Sequence, residues 1–256
     1  PSLAVSVDSQ SLEKNPHREI TGEEIDTLTR AFADAAGRAK AAGFDGVQLH
    51  TAHGYLLSQF LSPIFNRRTD AYGGGIENRV RIHVQILRAV RETVGADFPV
   101  LAKLNASDYA EGGLAVEDAA AAARMLAENG LDALELSGGL LTGGKLSPSR
   151  PGITSTDKEA YFSADAEILH KSVDLPLILV GGIRSFEKAE ELISSGIADY
   201  LAMSRPLIRE PDLIRRWRTG DTRRAACNSD NLCFGPARKG EGIYCVPLHQ
   251  EAGGGQ

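Results

Sequence analysis

Gly46-Val47-Gln48-Leu49-His50 and Val100-Leu101-Ala102-Lys103-Leu104 are two short, mainly apolar runs of strand length, and the chain between them decides how the protein is built. Upstream of the first run, Thr21 is an N-cap candidate with Glu24 three residues on. Ile25, Leu28, Phe32, Ala35, Ala36 and Ala39 then recur at helical spacing until Gly43 stops them. Downstream, a second helical pattern starts near Asn78, runs through Val80, Val84, Leu87, Val90 and Val94, and ends at Gly95. The alternation continues outward, with strands predicted at 133–136, 177–180 and 200–203 and helices near 115–129, 163–171, 185–195 and 211–218. The alanine run 119–123 needs no special reading, because alanine is the best helix former.

Five apolar strands separated by helices predict a parallel sheet, since parallel neighbours need a long crossover and are buried on both faces. The fold class is therefore α/β. Polar and glycine-rich segments follow the strands rather than precede them, and the last two strands each run into a small-residue loop suited to a phosphate. Both features favour a TIM (β/α)8 barrel over an open sheet. Five strands cannot close that barrel, so this chain is expected to supply about its last five βα units, strands 4–8. Three more strand-helix units are then expected upstream of Pro1, with the stretch through Ile20 as the connection into the third helix. Nothing in the composition marks a second domain: 1–250 reads as one barrel domain and 251–256 as a disordered tail.

The 256 residues, with 42% hydrophobic, 24% charged and a net charge of −6, suit a soluble globular domain with no basic footprint for nucleic acid or an anionic membrane. No apolar run approaches the length of a membrane span and no signal segment opens the chain, so a cytoplasmic location is expected. The expected partners are small molecules, and a homo-oligomer is compatible with the composition. Three cysteines, Cys227, Cys233 and Cys245, are an odd set for a secreted disulfide framework.

The connection after the first strand is unusually long, and loops of that length in compact domains are usually functional. It opens His50-Thr51-Ala52-His53-Gly54-Tyr55. Residues three apart on a strand face opposite sides, so His50 and His53 converge only if the chain turns after His50, and Gly54 makes a turn easy. Two imidazole N–H groups could then hold one carbonyl oxygen and stabilise the negative charge that develops as a hydride adds to the conjugated carbon. A tyrosine phenol keeps its proton at neutral pH and could deliver it to the other carbon. The sum is reduction of an activated C=C bond. The same spacing also fits a metal-binding pair, as in a metal-dependent hydrolase or lyase, or two hydrogen-bonded core histidines.

The longer run QLHTAHGYLLSQFLSPIFNRRTDAYGGGIENRVR, residues 48–81, resembles the signature of the Old Yellow Enzyme family of flavoproteins. The resemblance implies that His50 and His53 bind the activating oxygen of the substrate and that Tyr55 donates the proton. Asn66, Arg68, Asp70, Tyr72, Glu77, Asn78 and Arg79 then serve as scaffold for the loop, with Gly75 where the family commonly has Ser. It also implies FMN as cofactor, NADH or NADPH as reductant, and α,β-unsaturated carbonyl compounds or similar activated alkenes as substrates. Lys103, where the family more often has Arg, is placed to put positive charge at the flavin's pyrimidine edge. Gly181 and Gly182, with Ser204 and Arg205, resemble the two phosphate loops, although Ser204 stands where Gly is common. Ser137, Gly138 and Gly139 are expected to border the site. Some relatives carry an iron–sulfur cluster on cysteines in this region. A four-iron cluster needs four thiolates at tight spacing, so three cysteines predict none here. An alternative reading is a fragment that is inactive without its first three strands.

Overall fold

The computed structural model describes residues 1–8 and 15–253. Two short strands, β1 (Ser2–Ala4) and β2 (His17–Glu19), pair in parallel ahead of helix α1 (Gly22–Ala41). The five expected strands follow as β3 (Val47–Thr51), β4 (Val100–Asn105), β5 (Ala133–Ser137), β6 (Leu177–Leu179) and β7 (Tyr200–Leu201). They form one parallel sheet in chain order, β3-β4-β5-β6-β7. Between them run α4 (Arg81–Val94), α5 (Val116–Ala127), α6 (Ser163–His170) and α7 (Phe186–Ser194). Beyond β7 lie α8 (Arg205–Arg209), α9 (Leu213–Arg218), α10 (Phe234–Arg238) and α11 (Val246–Gly253). This is part of an α/β barrel.

Side-chain alternation on the strands sorts the sheet into two faces. Leu49, Ala102, Leu104, Leu134, Leu136, Leu177 and Leu179 are buried in one core with Ile86, Leu87 and Val90 of α4 and Ala119, Ala123 and Leu126 of α5. Fully burying a leucine of this kind contributes about 1.5–3 kcal/mol, so this layer is what holds the strands at fixed height. The opposite face carries Gln48 and His50, Leu101 and Lys103, Ala133 and Glu135, and Ile178. Cross-strand register puts His50 beside Lys103, Lys103 beside Glu135, and Glu135 beside Ile178. Chemistry is thereby gathered onto one side of the sheet. The capping box at the start of α1 is formed in both directions, Glu24 N to Thr21 Oγ1 at 3.3 Å and Thr21 N to Glu24 Oε2 at 3.0 Å.

Several expectations need correction. The opening stretch is not a bare connection, since β1 and β2 pair within it; 9–14 lie outside the described residues. The long segment after β3 is not a continuous loop either: it contains α2 (Leu56–Leu61) and the short turn of helix α3 (Ile76–Arg79), so α4 begins at Arg81 rather than Asn78. Its apolar face explains why, because Leu57, Phe60 and Leu61 are buried. The tail is helical as far as Gly253 in α11, and 254–256 lie outside the described residues.

The scaffold assigned to the motif is present. The buried Arg68 guanidinium grips Asp70 at 3.0 and 2.5 Å and donates to the carbonyls of Val5 at 3.1 Å and Ile20 at 2.8 Å. Arg79 donates to the carbonyls of Leu61 and Gly74 and pairs with Asp118 of α5 at 2.5 Å. Asn66 donates to the carbonyls of Phe60 and Tyr72, both at 2.7 Å. These bonds draw the chain so tightly that a Cβ on Gly73 would lie 1.9 Å from the Arg68 carbonyl oxygen. Gly73→Ala should therefore lower unfolding free energy by about 1–3 kcal/mol, the usual cost of forcing packed backbone apart. Gly22→Ala, with open space around its Cβ, should leave stability nearly unchanged. Urea unfolding of the two variants checks this, and equal midpoints would contradict it.

Candidate active site

Strand β3 ends at Thr51, whose hydroxyl donates to the Lys103 carbonyl at 2.7 Å, and the chain then reverses. The reversal uses two consecutive left-handed residues, His53 at φ 69° and Gly54 at φ 84°. Glycine adopts that conformation freely, whereas for a residue with a Cβ it costs about 1–2 kcal/mol and persists only when neighbours hold it. The neighbours are evident. His53 N–H donates to Asn105 Oδ1 at 3.0 Å, and the His53 carbonyl accepts from Leu141 N–H at 3.2 Å. Gly54 N–H donates to Ser58 Oγ at 3.1 Å, and Gln59 Nε2 donates to the Gly54 carbonyl at 2.8 Å, so α2 fastens the far side of the turn.

That turn brings the three expected side chains together. The His50 and His53 rings stand 5.2 Å apart between centroids at 71°, and His50 and Tyr55 also stand 5.2 Å apart at 56°. The His53 Nε2 atom lies 2.8 Å from Ser137 Oγ at the end of β5. Burial pushes the His53 imidazole down to about 3, and the positive charges of Lys103 and His50 act in the same direction. His50 is open to solvent on the β3 side, yet the protein beneath it pushes its pKa down first and Lys103 second, with Glu135 opposing. Both rings are therefore neutral at physiological pH. Lys103 Nζ is held by Glu135 Oε1 at 2.5 Å.

A cavity of about 300 Å³ links this cluster to the ends of the last two strands. His53, Lys103 and Ser137 line one end of it, and Gly182, Ser204 and Arg205 the other. His50 and Tyr55 are not among its lining residues; they stand beside it through His53, whose ring lies 5.2 Å from that of His50. Gly181 lies just behind the wall and shapes the turn, with φ 140°, while Gly182 follows at φ 73°. A Cβ on Gly182 would come within 2.7 Å of the Tyr161 ring. Arg205 is buried and donates to the Arg150 carbonyl at 2.9 Å and Asn231 Oδ1 at 2.6 Å, but among the described residues no carboxylate pairs with it. A buried guanidinium with no counter-charge, beside backbone that no side chain shields, is a donor set that fits a phosphate.

Three contributors escaped sequence reasoning. Glu135 supplies the partner that Lys103 requires, and its position between Leu134 and Leu136 in an alternating strand was the available signal. Asn105 orients His53 from the end of β4. Glu159 accepts from the N–H groups of Arg184 and Ser185 at 2.8 and 2.9 Å and pairs with Arg224, so it pins the turn after Gly182; nothing local in the sequence marks it. Cys227, Cys233 and Cys245 are free thiols, the first two buried. Among the described residues, no three His, Cys, Asp or Glu side chains are placed to hold a metal ion, and no helix is long and apolar enough to cross a membrane.

Residues 2–223 match the model of the NADH:flavin oxidoreductase / NADH oxidase family. The chain is 41% identical to an NADH oxidase of Thermoanaerobacter brockii, over 79% of this chain and 31% of that protein. A 2-naphthoyl-CoA reductase structure superposes with a TM-score of 0.75 at 30% identity, covering 83% of this chain and 32% of that one. An old yellow enzyme homologue from Zymomonas mobilis gives a TM-score of 0.65 at 29% identity, covering 83% and 57% respectively. The chain spans from about a third to somewhat over half of the length of the curated relatives it matches.

The depressed His53 value sets a pH dependence with a definite sign. Above about 6.5, the ordinary histidine value, folded and unfolded chains both hold a neutral ring and the site adds no slope. As pH falls toward about 3, the unfolded chain takes up a proton that the folded one refuses, so stability drops. His53→Asn should flatten the loss of stability between pH 6.5 and 5 in urea titrations. Ring chemical shifts should show His53 still neutral at pH 5, and titration near 6.5 would contradict the burial argument.

Proposed function

The chain belongs to the NADH:flavin oxidoreductase / NADH oxidase family, and from that premise we propose that the complete protein is an FMN-dependent reductase of α,β-unsaturated carbonyl compounds, with NADH or NADPH as reductant. The observation that carries this reading is the convergence of His50, His53 and Tyr55, at 5.2 Å ring spacings, beside a cavity that His53 lines and that reaches the buried Arg205.

When bound, FMN supplies the hydride. The residues of this chain do the rest. Gly182, Ser204 and Arg205 would hold the phosphate, with Gly181 shaping the turn, and Lys103 would bring positive charge to the flavin. His50 and His53, both neutral, each have one N–H to donate. With the Ser137 hydroxyl donating to Nε2 of His53, the single ring proton sits on Nδ1, which then donates to the substrate's carbonyl oxygen. Neutral donors stabilise charge developing on that oxygen without placing a permanent cation against the alkene. Tyr55, at the solvent edge of the group, delivers the proton to the second carbon and can recover it from water.

A metal-dependent hydrolase or lyase has less support, since the two histidines acquire no third ligand among the described residues. The cysteines are read as thiols without a cluster, and the protein as a cytoplasmic enzyme of small-molecule partners.

Purified complete protein should be yellow, and a colourless preparation that FMN cannot reconstitute would sink the proposal. Tyr55→Phe should slow alkene reduction by about 10²–10⁴-fold, the usual contribution of a positioned acid. Reduction of the flavin by NAD(P)H should be nearly unaffected. Stopped-flow measurement of the two half-reactions separates these outcomes, and equal loss in both would remove Tyr55 from the proton-donor role.

A further inference from the structure

Glu135 is a carboxylate in a strand whose five residues are all buried, and it is 8% exposed. Leu134 and Leu136 on either side of it face the helices, so Glu135 faces the catalytic side of the sheet. A carboxylate this far from water is retained only if a cation or several donors meet it. Among the described residues its one hydrogen-bonding partner is Lys103, at 2.5 Å, on the adjacent strand and directly opposite in register. Among the described residues Lys103 in turn has no other side-chain hydrogen-bonding partner. Its ammonium sits on a flexible four-carbon stem that could otherwise point anywhere in the cavity, unlike the planar fork of an arginine.

The pair does two things at once. It fixes where the ammonium stands, and it places a negative charge against the Lys103 cation at this end of the cavity. The influence of both groups reaches His50: Lys103 pushes its value down while Glu135 pushes it up. Any anion or developing negative charge in the cavity therefore meets a cation whose field Glu135 opposes in part.

We propose that Glu135 is a positioning residue that anchors Lys103 against β5 and damps its positive field, and so sets how readily the bound flavin accepts electrons. The inference rests on the flavin reading of the same cavity. In the opposite arrangement, an unpaired lysine would stabilise negative charge on the reduced ring and raise its reduction potential. With Glu135 in place the potential is held low, which favours onward delivery of the hydride to an alkene of modest electrophilicity.

The test uses the complete FMN-loaded protein and sulfite as probe, because sulfite adds to oxidised flavin and leaves negative charge on the ring. Glu135→Gln keeps the shape and removes the charge. It should tighten sulfite binding on the order of tenfold, as expected for unmasking a unit charge a few ångströms away in a partly buried site. It should also move the flavin midpoint potential in the positive direction. Because the positioning part of the effect is routed through Lys103, the same substitution made on a Lys103→Met background should change both quantities less. Glu135→Asp, which keeps the charge, should restore most of the original sulfite constant. Unchanged sulfite binding in Glu135→Gln, or a shift just as large without Lys103, would overturn the inference while leaving the flavin reading intact. Failure of the unmodified protein to take up FMN would overturn that reading as well. If Glu135→Gln folds poorly, Glu135→Asp with a weakened sulfite constant like that of Lys103→Met would equally count against the role.

Discussion

The left-handed backbone at His53 and Gly54 is the constraint from which the site follows. A strand that continued past Thr51 would send His50 and His53 to opposite sides of the sheet. With φ 69° and 84° at successive residues, the chain instead folds back over the ends of β4 and β5, and His53 descends onto Ser137. The strain of a left-handed histidine is held by bonds on both of its backbone groups, one to Asn105 and one from Leu141. Two further strands therefore have to be in place before the first can present its chemistry.

The motif after the turn belongs to the same logic. Arg68 and Arg79 are buried cations that each donate to two backbone carbonyls and to one carboxylate, with Glu19 a second carboxylate 3.4 Å from Arg68. They tie the connection to β1, to the segment entering α1 and to α5, and they hold it in a path too tight for any side chain at Gly73. What reads as a long functional loop is a rigid bracket for Tyr55, whose backbone caps α2.

Electrostatics divides the cavity. At one end Lys103 is compensated by Glu135 and the histidines are neutral. At the other end Arg205 is buried with no carboxylate paired to it among the described residues, and the turn beside it is pinned by Glu159. An anion is favoured at the second end and merely tolerated at the first. That asymmetry suits a ligand with a phosphate tail and a ring whose charge changes during turnover.

The sequence by itself determined the alternation of strands and helices, the parallel sheet, the capping of α1, and the residue types that could do the chemistry. All of these are local: they depend on periodicity, on glycine and on a motif read along the chain. The trio His50, His53 and Tyr55 was legible for the same reason, being contained in six residues. What only the tertiary structure decided is which side chains become partners across strands. Glu135 lies 32 positions from Lys103, and Glu159 is 25 from Arg184; they meet because hydrogen-bond register and loop packing set distances that spacing along a chain does not encode. Folding of the connection into α2 and α3 was hidden likewise, since its apolar residues declare a helix only once there is a core for Phe60 and Leu61 to enter.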